Sequence, residues 1–151
     1  MAHCYTDLPT RKGERNLAIQ LSGNKDSRLH LWFGLDFIPG VKDNDILLWH
    51  EIAGVFIVEV KAVKINEIEY FGWEKYKISG RSEDSSPQRQ ANNAKYSLIN
   101  FLTPLLPEKR SPFTCGTVCW PKITRQEWNN TWDDKRVIGE FSERMLFRED
   151  I

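Results

Sequence analysis

The residues best placed to do chemistry lie in Asp45–Lys61, DILLWHEIAGVFIVEVK, where two apolar runs flank a turn-forming stretch at His50–Gly54. Asp45 opens the first run, Glu59 lies near the end of the second, and Lys61 follows two residues later. Side chains alternate along a strand, so Glu59 and Lys61 share one face with Val55, Ile57 and Val63. Phe56, Val58, Val60 and Ala62 occupy the other face. Both faces are apolar, which predicts a central strand covered on both sides. A carboxylate and an ammonium group at the end of such a strand need partners, because an uncompensated charge out of water is expensive.

Folding the two runs into a hairpin with Asp45 opposite Glu59 places the pivot at Ile52, inside the turn, with Gly54 free to take a positive φ. Opposed residues have Cβ atoms roughly 4.5–5.5 Å apart. Two carboxylates that close repel unless a cation or proton lies between them. A hard divalent ion with oxygen ligands, Mg²⁺ or Mn²⁺, satisfies that requirement, and Lys61 would stand beside whatever the ion activates. The competing reading keeps Glu59 and Lys61 as a structural ion pair, which at a surface contributes only about 0–1 kcal/mol.

Two helices carry a polar side chain on an otherwise apolar stripe. Thr10–Leu21 reads as a first helix in which Glu14, Leu17, Ala18 and Leu21 fall on one stripe, so Glu14 either points inward or serves as a solvated partner of the helix dipole. A longer helix starts at Ser86, a capping residue followed by Pro87 at the first helical position, and runs to about Leu102. On it Gln90, Ala94, Ser97 and Phe101 align on an inward-leaning face, the alternative for Gln90 being a surface glutamine. Strands are expected at Arg28–Phe33, along the extended continuation Ala62–Tyr70, at Glu74–Ser79 and at Phe113–Trp120. Pro39-Gly40 and an acidic cluster form a loop feeding the hairpin, in which Asp43 is a rival to Asp45. Thr124-x-x-Glu127 is a capping box opening a short helix that stacks Trp128 on Trp132. After Asp133 a short strand at Arg136–Ile138 and an amphipathic charged tail are expected, and the charged ending is read as one that continues into further chain. The order predicts an α/β or α+β sandwich: a mixed sheet with the long helix on one face and the first helix on the other.

At 151 residues, with 40% hydrophobic and 28% charged side chains, the chain is the size of one globular domain. Twenty-one basic and 21 acidic side chains cancel, which argues against attachment to polyanions through blanket charge but allows a local basic patch. Lys64, Lys75, Lys77, Arg81, Arg89 and Lys95 are the cations nearest the hairpin, each either a phosphate contact or a solvated surface charge. Cys4, Cys115 and Cys119 form no disulfide framework, which reads as a reducing, cytoplasmic setting; Cys115 and Cys119 lack a second Cys/His pair for zinc and read as core thiols in a strand. No apolar run approaches the roughly 20 residues of a membrane span, and no phosphate-binding glycine loop is present.

Together KGERNLAIQL, DNDILLWHEIAGVFIVEVK, Phe71-Gly72-Trp73, SPQRQANNAKYSLINFL and FTCGTVCWP resemble the nuclease-related domain (NERD), a branch of the restriction-endonuclease-like PD-(D/E)xK nucleases. The resemblance covers roughly residues 11–121 and rests on the ordered set of helix Glu, strand Asp, GVFIVEVK and Pro-x-x-Gln at a helix start. It implies a mixed β-sheet flanked by helices and Mg²⁺- or Mn²⁺-dependent hydrolysis of DNA phosphodiesters. It implies metal binding by Asp45 and Glu59, with the Val60 carbonyl and Glu14 completing the shell, a catalytic role for Lys61, and a supporting one for Gln90. Asp43 stands where the family often carries an acid, so the Asp43/Asp45 assignment stays open. Such domains are often joined to helicases, ATPases or kinases. The alternative is thus a non-catalytic or weakly active module that binds DNA or a partner domain within a larger helicase- or ATPase-containing protein.

Overall fold

The computed structural model describes residues 1–36, 38–39, 41, 46–106, 113–132 and 145–151. The central hairpin forms as its apolar alternation requires: β3 (Ile46–His50) and β4 (Gly54–Val60) pair antiparallel from Ile46 opposite Val58 to His50 opposite Gly54. That register pivots on Ile52, and Gly54 closes the turn at φ 98°. His50 is half-buried here: its Nδ1 accepts the N–H groups of Ile52 and Ala53, and its Nε2 lies 3.2 Å from Asp26 Oδ2.

Around the hairpin the described residues form a six-stranded mixed sheet, completed by β1 (His3–Cys4), β2 (Leu29–Phe33), β8 (Thr114–Trp120) and β9 (Met145–Phe147), in the order β1-β2-β3-β4-β8-β9. Strand β4 sits inside it, antiparallel to β3 and parallel to β8. A three-stranded antiparallel sheet, β5 (Ile68–Phe71), β6 (Lys75–Ile78) and β7 (Asp84–Ser85), lies between β4 and the long helix in sequence. The fold is α/β, with helices α1 (Lys12–Ser22), α2 (Pro87–Leu102) and α3 (Arg125–Thr131) flanking the sheets.

The two faces of β4 are covered by different helices. Val58 and Val60 pack with Leu17 and Ala18 of α1, while Val55 and Ile57 pack with Ala94 and Leu98 of α2. A third cluster joins Ile68, Phe71, Tyr76 and Ile78 of the small sheet to Trp120, Trp128 and Phe147. Trp128 and Trp132 meet with ring centroids 6.4 Å apart. Thr124 and Glu127 close the expected capping box, in which Glu127 Oε2 accepts from the Thr124 N–H at 2.7 Å.

Three local expectations need correction. The segment after Lys61 does not stay extended to Tyr70; Ile65–Glu67 is a 3₁₀ turn, closed by Glu67 Oε2 accepting the Lys64 N–H at 2.5 Å, and β5 then enters the second sheet. The tail carries a strand, β9, which pairs parallel with β8 and buries Met145 and Phe147. The buried stripe of α2 is Pro87, Gln88, Ala91, Ala94 and Leu98, whereas Phe101 is 36% exposed and Gln90 lies on the flank. Residues 136–138, expected as a strand, lie outside the described residues.

Candidate active site

Glu59 and Lys61 are brought together at the end of β4 by their i, i+2 spacing. Glu59 is 3% exposed, and its Oε1 lies 2.5 Å from Lys61 Nζ. Just past the end of β4 the Lys61 N–H donates to the Cys119 carbonyl of β8 at 2.9 Å, which holds Lys61 in line with the sheet. Lys61 Nζ also donates to Gln90 Oε1 at 3.0 Å and stands 5.7 Å from the ring centroid of Tyr76.

Gln90 reaches Lys61 because of how α2 begins. Ser86 is fully buried; its Oγ accepts the Arg89 N–H at 3.3 Å and donates to the Trp73 carbonyl, pinning the helix start to the loop between β5 and β6. Gln90 Nε2 then donates to the Ser85 carbonyl at 2.7 Å, so the carboxamide is held at both ends and its oxygen is aimed at Lys61. Gly116 on β8 permits the close approach: a Cβ there would lie 2.7 Å from the Ala91 carbonyl oxygen of α2.

Glu14 arrives from the opposite face. A Cβ at Gly13 would lie 2.0 Å from the Ala62 Cβ, so α1 begins directly against the residue that follows Lys61. Glu14 is only partly exposed, and its Oε1 lies 3.4 Å from Arg11 Nη1. The structure thus groups Glu59, Lys61 and Gln90 in one bonded set and places the Glu14 segment at the same end of β4. Asp45 and its rival Asp43 lie outside the described residues, and the ladder described up to Ile46–Val58 ends one pair short of Asp45.

Sequence reasoning passed over Ser85, Tyr76 and Gly13. The alternation of KYKI puts Tyr76 and Ile78 on one face, which signals burial, but nothing in it points to Lys61. Among the six cations considered as phosphate contacts, Lys75 pairs with Glu83 at 2.7 Å, Lys77 with Glu69 at 2.6 Å, and Arg89 with Glu74 at 4.0 Å. Hydrogen bonding to Glu69 raises the Lys77 pKa and lowers that of Glu69 in return.

Whether a divalent ion suits this end of β4 can be judged from Glu59. Its second oxygen, Oε2, is buried and has no hydrogen-bond partner among the described residues. An ionised carboxylate oxygen out of water without a donor is costly, and a hard cation is the partner that oxygen chemistry offers it. The described residues contain no group of three His, Cys, Asp or Glu side chains able to hold a metal, so Glu59 would need Asp45 or a main-chain oxygen to complete a shell.

A mixed sheet with helices on both faces and a Glu-x-Lys pair at the end of a central strand is consistent with the restriction-endonuclease-like fold. The match to the family model of the nuclease-related domain runs over residues 9–121. The chain belongs to that family. Comparison with the curated proteins gives no match, and comparison with solved structures gives none either. No helix among the described residues is long and apolar enough to cross a membrane.

Proposed function

We propose that this chain is a metal-dependent nuclease that hydrolyses phosphodiester bonds of DNA. The observation that carries the reading is the buried, unpartnered Oε2 of Glu59 beside a lysine whose ammonium group is steered by Gln90. Glu59 would hold Mg²⁺ or Mn²⁺ together with Asp45, with Glu14 and the Val60 carbonyl as further oxygen donors. When bound, the ion supplies Lewis acidity, lowering the pKa of water and offsetting charge on the phosphate.

The protein's own groups supply the rest. Lys61 presents a positive donor where negative charge grows as the phosphorus becomes five-coordinate. Gln90 limits the directions that donor can take, since its carboxamide is fixed through Ser85. Burial of Glu59 keeps competing water away, which strengthens each charge interaction at the site. The Glu59–Lys61 contact would loosen when a cation and a phosphate compete for the two groups.

The test is incubation of linear and circular DNA with the protein in Mn²⁺ against EDTA. Cleavage should require the ion, disappear in Glu59→Gln, and fall about 10²–10³-fold in Lys61→Ala. Undiminished cleavage by Lys61→Ala would defeat the assignment. The direct Glu59–Lys61 contact favours one rival, a non-catalytic DNA- or partner-binding module of a larger helicase- or ATPase-containing protein. Calorimetric titration with Mn²⁺ separates the two, since only the catalytic reading expects binding that Glu59→Ala abolishes.

A further inference from the structure

Strands β4 and β8 run parallel and end side by side, so the segments leaving them emerge at the same edge of the sheet. Lys64 lies three residues beyond Lys61, and Lys122 three residues beyond Cys119, the residue whose carbonyl accepts the Lys61 N–H. Arg148 joins them from the far end of β9, its main-chain N–H donating to the Ile123 carbonyl at 3.0 Å. The three cations line a pair of adjoining grooves. One, of about 620 Å³, is lined by Lys64, Pro121, Lys122 and Arg148 among others. The second, of about 370 Å³, shares Pro121, Lys122 and Arg148 and is lined on the α1 side by Gly13, Asn16 and Gln20.

The charge here is lopsided although the whole chain is neutral. The lining carries one side-chain carboxylate, Glu127, whose Oε2 accepts the Thr124 N–H and O–H at 2.7 and 2.8 Å and which also feels the charge of Arg148. Among the described residues, none of Lys64, Lys122 and Arg148 has a carboxylate within ion-pair distance, whereas Lys75 and Lys77 are neutralised by Glu83 and Glu69. All three are exposed, and the second groove reaches Gly13, the residue before Glu14 in the chain. Its cationic lining suits a polyanion, and the nuclease reading makes that polyanion DNA.

We infer that Lys64, Lys122 and Arg148 form a track for the phosphate backbone of DNA leading away from the Glu59–Lys61 site. The inference rests on the nuclease reading for the identity of the polyanion and adds where the strand lies. The experiment measures binding of a fluorescent DNA duplex in EDTA over a range of NaCl concentrations, with cleavage in Mn²⁺ followed separately. Lys64→Ala/Lys122→Ala/Arg148→Ala should bind at least tenfold more weakly near 0.1 M salt and lose about 2.7 from the slope of log affinity against log salt. Lys75→Ala/Lys77→Ala should leave both unchanged. The single variant Lys122→Glu repeats the test with less change to the surface, and circular dichroism checks that each variant is folded. A triple variant with wild-type affinity and slope overturns the track, while cleavage by the wild type would leave the nuclease reading standing. Weakened binding by the triple variant without any cleavage by the wild type keeps the track and removes the catalytic reading. Failure of the wild type to bind DNA overturns the track.

Discussion

Replacing Gly13 by alanine tests the joint between α1 and the end of β4. Alanine is a better helix former than glycine by about 1 kcal/mol at most, so propensity alone predicts a small gain. Packing predicts the reverse. The new methyl would sit 2.0 Å from the Ala62 Cβ, against an ordinary carbon–carbon contact of about 3.5–4.0 Å. The start of α1 must therefore retreat by roughly 1.5–2 Å, and forcing a methyl into a packed contact costs about 1–3 kcal/mol. Ala62 is backbone plus one methyl and cannot rotate out of the way. The expected net loss is about 1–2 kcal/mol, a fall of roughly 2–8 °C in Tm for a chain of this size. Ala62→Gly in the Gly13→Ala background should recover most of it, giving a coupling of at least about 1 kcal/mol in a double-mutant cycle. Thermal unfolding by circular dichroism of the four proteins is sufficient. Gly13→Ala as stable as the wild type, or no coupling to Ala62, would refute the close approach of the start of α1 to the end of β4.

Other perturbations probe the site and its supports. On the nuclease reading proposed above, Gln90→Ala should lower DNA cleavage by about tenfold or more while leaving Mn²⁺ binding by calorimetry near wild type, because the residue steers Lys61 and is not among the proposed donors to the ion. The Glu127 carboxyl is held below its usual value, first by the Thr124 N–H and then by its hydroxyl. Its contribution to α3 is therefore complete above the ordinary glutamate pKa of about 4.3 and fades as pH falls through the lower folded value. Glu127→Gln should make stability measured by urea unfolding less dependent on pH below about 5, and an unchanged pH profile would contradict the capping box. Cys119 is fully buried, and burial pushes its thiol up to about 12. A thiol reagent at pH 8 should modify exposed Cys4 quickly and Cys119 only after denaturation, as mass spectrometry of the labelled peptides would show.

Much of the architecture was legible because it depends on local periodicity and local chemistry. The alternation in GVFIVEVK marks a strand buried on both faces and forces Glu59 and Lys61 to the same side, whatever packs there. The pairing of Ile46 with Val58 follows from a turn centred on Ile52 and the need to keep apolar faces aligned, since a one-residue slip would reverse every side chain. Ser86-Pro87 and Thr124-x-x-Glu127 announce helix starts because the bonds that satisfy the first turn lie within four residues. The family resemblance rests on the same segments.

What depended on contacts distant in sequence could not be read that way. β9 has only three residues and becomes a strand because β8 offers its edge, burying Met145 and Phe147. The face that α2 presents was misjudged since Gly116, a residue on another element, sets how closely the helix approaches and leaves Phe101 outside. The bond from Lys61 to Gln90 spans 29 positions, and its direction depends on the Ser85 carbonyl. Parallel pairing of β4 with β8 brings Lys64 and Lys122 to one edge, although 58 residues separate them. Side-chain alternation is a property of a single strand, but proximity between strands belongs to the assembled sheet.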